Sequence, residues 1–484
     1  MTTHVLKVTT QNQHVGEVHF DSRTDTYDFT YSRQWVEHAD AFALSPHIAL
    51  PNHTVHTVRD QELTALQGSV RSGAVQRFLQ NLLPEGRALD VVSINNQISK
   101  DNVFGLVALL GKEPAGALSF VMADLQKSQS ADEEPQRRVI SHEELSHRIQ
   151  QREYLPFPVW DGKVRLSVAG FQDKLQVLVE GEQISLADGC LASTHILKPE
   201  PRSPLTPCMV ANEHFCMTLA AQMGLAVAPV TIKRIPEPIL LVERFDRKVV
   251  TALYGDGAQV SHEAQDAQDA QDAQDTHHAI AVQRRHVIDG CQALDLPVSH
   301  KYERNFGHGQ DVRHIREGVS FEKLFTALEF DNPLAGKLSL LRWALLQLLI
   351  GNSDAHGKNI SFFMRANQLI PAPLYDLVSV NVYGEQFEQE MAMGYGDAFL
   401  IEEIGAFDLA DFAHRTTVPP KLIAREMTNL ASKAKLLAPE LAESNLYTST
   451  EKDLVRAIAQ FVVAQADRML KTAPLVLKVD PALL

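Results

Sequence analysis

Cysteine is scarce in this chain of 484 residues, and the four present, Cys190, Cys208, Cys216 and Cys291, include no CxxC pair. Zinc ribbons need closely spaced thiolates, so that class is excluded, as is a disulfide framework. Free, partly buried thiols in a reducing compartment are expected instead. Long hydrophobic runs are also missing. The most apolar stretch, Leu338 to Ile350, is broken by Arg342 and Gln347, well short of the ~20 residues that span a bilayer. The N-terminus lacks a basic region followed by an apolar core, so no secretory signal is read there and a cytoplasmic protein is expected. Positive charge is in deficit: 45 Lys and Arg against 60 Asp and Glu give a net charge of -15. A large nucleic-acid surface needs clustered Lys and Arg; a local phosphate site of two or three groups does not.

What is present is ordinary for a folded protein: 45% hydrophobic and 22% charged residues, in a length suggesting about three units. Val15 to Phe20 and Tyr27 to Tyr31 alternate with period two around a polar turn, as a hairpin does. A helix around Val75 to Leu83 stops at Pro84-Glu85-Gly86. The polar segment from Gln126 to Arg137 reads as linker. Beyond it, Val164–Val168 and Leu175–Val179 flank a tight connection, Thr194–Lys198 and Leu240–Asp246 read as strands, and Asn212 to Met223 reads as a helix capped by Asn212. Ala264 to Asp275 is four Ala-Gln-Asp triplets; period three fits neither a helix face nor a strand face, so a surface insertion is expected. Leu338, Leu341, Leu345, Leu348 and Leu349 recur at helical steps with Gly351 as the stop, and Leu454, Ile458, Phe461 and Met469 repeat the pattern. The fold class is α+β: an N-terminal α/β subdomain (1–123), a linker (124–145), a small β-rich lobe (146–250), an insertion (251–283) and a larger helical lobe (284–484).

The strongest chemical signal is Gly351-Asn-Ser-Asp-Ala-His-Gly-Lys-Asn359, directly after the apolar helix. Asp354 and Asn359 have the D-x-x-x-x-N spacing of kinase catalytic loops, in which a carboxylate accepts a hydroxyl proton and an amide oxygen binds Mg2+. Asp376 follows a Pro-bounded strand and offers a second metal oxygen. By itself the pattern arises often by chance, with Asp354 a turn or cap residue. The β-rich lobe supplies more. Ser167-Val168-Ala169-Gly170-Phe171-Gln172-Asp173-Lys174 sits at a hairpin tip whose backbone N–H groups can cradle phosphates. Lys198 ends an otherwise apolar strand. Glu213, near the start of the next helix, either pairs with Lys198 or complements the helix dipole. His277-His278 and His356 lack partners at metal-ligand spacing, so no zinc is assigned. The order of these parts, from phosphate loop through strand lysine to D-x-x-x-x-N and a metal Asp, is the order a kinase requires.

On these segments, with Phe78–Gly86, Val242–Arg247 and Cys291–Leu294, the chain resembles the HipA-type serine/threonine kinases, toxins of bacterial toxin–antitoxin pairs. The resemblance implies a two-lobed kinase-like fold behind an N-terminal subdomain. It implies Asp354 as catalytic base, Asn359 and Asp376 as Mg2+ ligands, and an ATP site using Val168, Ala169, Gly170, Lys174, Lys198, His356 and Lys358. Glu243 and Phe245 would hold adenine, and Ser167 would be autophosphorylated as an off-switch. The implied partners are a helix-turn-helix antitoxin of the HipB type, operator DNA only through that antitoxin, and an aminoacyl-tRNA synthetase as substrate; no membrane is involved. Phe171, Asp173 and the triplet run depart from the family pattern. A non-catalytic corepressor and a small-molecule kinase are the competing functions.

Overall fold

The structure, a computed structural model, describes residues 3–11, 13–51, 70–71, 73–123, 135–165, 172–253, 278–307 and 309–484. The triplet run and Ser167, Val168, Ala169 and Gly170 lie outside them.

The N-terminal part is built on a five-stranded antiparallel sheet in the spatial order 70–71, 26–31, 13–21, 3–10, 119–122. The expected hairpin is its centre: Val18 faces Phe29 across the Gln13–Asp21 and Thr26–Tyr31 strands. The period-two pattern works as it should, with Tyr27, Phe29 and Tyr31 buried on one face. The helices Gly73–Asn81 and Val103–Leu110 belong to the same part, and Val75, Phe78, Leu79, Leu106 and Val107 are buried with the sheet.

A six-stranded antiparallel sheet follows, in the order 230–234, 238–243, 195–199, 175–180, 183–188, 136–140. Its outermost strand corrects the expected linker: Gln136–Ile140 pairs with Gln183–Asp188, and the helix His142–Gln150 starts straight after it. Apolar Ile140 faces Ile184 and both are buried, which a solvated linker would not be. The insertion is likewise shorter than expected, because Arg247–Leu253 and His278–Arg284 form a regular hairpin from Arg247↔Arg284 to Leu253↔His278. The longer helix beside this sheet runs from Met209 to Gln222 and is buried on nearly all sides, polar Asn212 and Glu213 included. Asn212 lies inside it and is not its cap; its amide instead bridges the Ser379 backbone, donating to the carbonyl at 2.9 Å and accepting from N–H at 2.8 Å.

The helical lobe is centred on Pro333–Ile350, the one helix among the described residues long and apolar enough to cross a membrane, here mostly buried between other helices. Pro420–Ala442 and Ser449–Val476 pack along it. Gly351 ends it as expected, at φ +67°. A Cβ there would sit 2.6 Å from a Phe461 ring carbon, so only glycine fits both the turn and the space.

The first two parts are joined by a buried charged cluster. Asp246 accepts from Arg244 Nη2 at 2.8 Å, from Arg247 Nη1 at 2.7 Å and from Gly116 N–H at 2.8 Å. Glu113, from the N-terminal part, accepts from Ser193 Oγ at 2.7 Å and lies 3.4 Å from Arg247. Burial alone would raise the Asp246 carboxyl, but Arg244 and Arg247 hold it well below the usual carboxylate range. Burial pushes the Arg284 guanidinium down to about 9, with Arg247 adding to the shift. Asp246→Ala is expected to cost about 3–5 kcal/mol, because it leaves two buried guanidiniums short of a partner; chemical denaturation reads this directly. Since the folded-state pKa is depressed, the wild-type contribution is complete above the unfolded value of about pH 4 and fades as the pH falls below it.

Candidate active site

Lys198 is nearly buried where three elements meet. Its Nζ donates to Glu213 Oε1 at 2.7 Å and to Asp376 Oδ1 at 2.5 Å. Of the two roles open to Glu213, pairing with the strand lysine is the one found. Burial would strip the ammonium of its proton, but Asp376 and Glu213 hold its pKa above the ordinary lysine value. Asp376 in turn would be raised by burial, and Lys198 and Lys174 hold it well below the carboxylate range. Lys174, itself buried just before Leu175, is pushed down to about 8 by desolvation, with Asp376 opposing.

Asp376 reaches this position through backbone at φ +57°, a strained conformation for a non-glycine residue that its neighbours over-determine. On one side Leu374 N–H donates to Ala226 O at 2.8 Å and Ala228 N–H to Leu374 O at 2.9 Å; on the other stands the Asn212–Ser379 pair. Tyr375 between them donates its hydroxyl to Lys358 O at 2.6 Å, tying the segment to the catalytic-loop candidate.

That loop folds on itself. His356 N–H donates to Asp354 O at 2.9 Å, Asn359 N–H to His356 O at 2.9 Å, and Asn359 Nδ2 to Asp354 O at 2.9 Å. The Asn359 amide oxygen takes no hydrogen bond among the described residues. Asp354 keeps solvent access, yet desolvation in the cleft raises its carboxyl, against the lowering effect of a 2.6 Å hydrogen bond donated by Tyr302. The charge on Asp376 raises it further. A carboxyl so placed is suited to take up a proton. Burial pushes His356 down to about 3. Its Nδ1 accepts from Lys358 N–H at 3.2 Å, so the neutral ring carries its proton on Nε2 and offers an uncharged donor.

Lys358 corrects an expectation. Its ammonium donates to Asp289 Oδ2 at 2.5 Å and to Asn81 O and Oδ1 at 3.0 and 3.2 Å. All three donors are spent on protein, so it anchors the loop to the N-terminal part instead of reaching a phosphate. Spacing alone had also missed Lys301, which donates to Glu85 at 2.7 Å, and Tyr302. Glu85 and Asn81 belong to the Phe78–Gly86 stretch, and only that family resemblance marked them.

Glu243 and Phe245 occupy the connector between the lobes. Glu243 N–H is taken by Pro229 O and Arg244 N–H by Thr194 O, both at 2.9 Å. Phe245 N–H has no partner among the described residues, and its ring packs against Tyr375 at 5.5 Å and edge-on to Phe363 at 5.9 Å. No three His, Cys, Asp or Glu side chains cluster as a metal cage among the described residues. Asn359 and Asp376 fit a different mode, in which a hard divalent cation takes one or two protein oxygens and completes its shell with water and phosphate.

Comparison with known proteins places the chain in a family. Residues 6–121 match the HipA N-terminal domain and residues 166–436 the HipA-like C-terminal domain. A serine/threonine-protein kinase toxin HipA from Shewanella oneidensis is 40% identical over 421 residues, 87% of this chain and 85% of that protein. A putative kinase of Sinorhizobium fredii is 32% identical over 93% of this chain and 96% of its own length. The solved complex of the Shewanella HipA with HipB and its operator DNA superposes with a TM-score of 0.79 at 36% identity, covering 98% of this chain and all of that one. The chain is therefore a member of the HipA family of serine/threonine-protein kinases, with that family's kinase-like fold.

Proposed function

We propose that this kinase is the toxin of a toxin–antitoxin pair, using Mg-ATP in the cytoplasm to phosphorylate an aminoacyl-tRNA synthetase and so arrest growth. The observation that carries the catalytic reading is Lys198 held between Glu213 and Asp376, which gives the lysine–glutamate ion pair that kinases use and puts the candidate metal-binding carboxylate beside it. Lys198 and Lys174 would neutralise the nucleotide phosphates, Phe245 N–H and the Glu243 backbone would receive adenine, and His356 Nε2–H would add an uncharged donor. Asp354 would accept the proton of the substrate hydroxyl. Held by Asn359 and Asp376, Mg2+ would spread the charge that develops on the transferred phosphoryl group. Support for the partners comes from the Shewanella relative, whose structure is a complex with HipB and operator DNA; here too a HipB-like helix-turn-helix antitoxin would bind, and DNA only through it. The synthetase substrate rests on the family resemblance. Phosphoproteomics after controlled expression, wild type against Asp354→Ala, tests it: a synthetase site that appears only with the wild type is the expected result, and its absence removes that substrate.

Asp354→Ala and Asp376→Ala are each expected to lower ATP-dependent phosphate transfer by about 100-fold or more, since positioning cannot replace a proton acceptor or a metal oxygen. Labelling with γ-labelled ATP measures this, and near-wild-type rates in either variant would contradict its role.

The Ser167 off-switch is tested by calorimetry. Phosphorylation would bring a charge of about -1.5 to -2 towards a site built to hold anionic phosphates. ATP is expected to bind the Ser167-phosphorylated chain more weakly than the unmodified one; equal affinities would refute the switch and leave the kinase intact.

A further inference from the structure

Lys301, Tyr302, Glu303 and Arg304 run past the catalytic loop, and each spends its polar group on a different part of the site. Lys301 Nζ reaches Glu85 in the N-terminal part at 2.7 Å. Tyr302 Oη donates to Asp354 Oδ1 at 2.6 Å. Glu303 accepts from Gly394 N–H at 2.7 Å and from Arg316 Nε at 2.5 Å. Arg304 pairs with Glu390. The backbone of the same stretch is tied down as well. Gly357 N–H donates to Lys301 O at 2.9 Å and Glu303 N–H to Ala392 O at 3.0 Å. A Cβ on Gly318 would fall 1.7 Å from Tyr302 O, so the next segment presses directly on it. Four consecutive residues thus form a strap that cannot shift without breaking contacts in both the N-terminal part and the helical lobe.

Within the strap Tyr302 is held from several directions. Its ring stands edge-on to His356 at 5.0 Å, and the Lys301 ammonium lies 5.5 Å from its centroid. Its single hydroxyl proton is given to Asp354 Oδ1. Asp354 Oδ2 takes no hydrogen bond among the described residues. A free carboxylate rotates and presents either oxygen; one anchored through Oδ1 presents only the other.

We propose that Tyr302 is a positioning residue for phosphoryl transfer, fixing Asp354 so that Oδ2 is the oxygen that meets the substrate hydroxyl. The proposal rests on the reading of Asp354 as proton acceptor. In the step it serves, the hydroxyl proton passes to Oδ2 while the hydroxyl oxygen bonds to the γ-phosphorus. The bond from that phosphorus to the β,γ-bridging oxygen breaks, and its electron pair leaves with ADP. Tyr302 keeps its own proton throughout and acts only through Asp354.

Full-length wild type, Tyr302→Phe and Asp354→Ala should be compared by initial rates of phosphate incorporation from γ-labelled ATP across a range of ATP concentrations, together with thermal melting. Tyr302→Phe keeps the ring contacts and loses only the donor. Its maximal rate is expected to fall about 10- to 100-fold, the cost of a misplaced catalytic group. The half-saturating ATP concentration and the melting temperature should stay at wild-type values. A wild-type maximal rate in Tyr302→Phe overturns the proposal. So does a lowered melting temperature with weakened ATP saturation, which marks a merely structural residue. Should Asp354→Ala be inactive and Tyr302→Phe fully active, only the strap's role falls. Should Asp354→Ala transfer phosphate normally, the base assignment falls and takes this proposal with it.

Discussion

Lys198 is where the strand His195–Pro199, the helix Met209–Gln222 and the segment bearing Asp376 converge on one buried ammonium. Each carboxylate it meets would be costly to bury alone, and so would the ammonium. The geometry is therefore self-enforcing: strand, helix and Asp376 segment must take their places together or leave a charge stranded. The other ties of the region follow from this one. The Asn212–Ser379 amide bridge and the Leu374 backbone bonds hold the Asp376 segment at the height of Lys198, and Tyr375 transmits that height to the catalytic loop.

A second set of contacts makes the N-terminal part a component of the catalytic architecture instead of an appended module. Asn81 and Glu85 are the acceptors for Lys358 and Lys301, and Gln292 donates to Phe78 O at 3.1 Å. Glu113 and Gly116 complete the cluster of Arg244, Asp246 and Arg247. Both joints are charged and buried. Such joints add little net stability compared with apolar packing of the same volume, but they tolerate few alternative registers, and register is what a loop carrying Asp354 requires.

Much of this was legible from periodicity and spacing. The Val18–Phe29 hairpin, the Leu338–Ile350 helix with its Gly351 stop, and the Asp354, Asn359 and Asp376 series all come from local patterns, and local patterns survive in a one-dimensional reading. The failures share a cause. Gln136–Ile140 looked like linker because an edge strand keeps charged residues on its open side. Asn212 looked like a cap because its true partner lies 167 residues away. The resemblance assigns Lys358 to the ATP site, and nothing in its own loop reveals Asn81 or Asp289. Tyr302 had no signal of any kind: a tyrosine between a lysine and a glutamate is unremarkable until Asp354 is seen opposite its hydroxyl.

The hairpin of Arg247–Leu253 and His278–Arg284 is organised from its base outward. Its first rung, Arg247↔Arg284, is anchored at the charged joint through Arg247 and Arg284, while its last rung, Leu253↔His278, lies at the far end. The register of the hairpin is therefore set at the joint and carried outward rung by rung to Leu253↔His278.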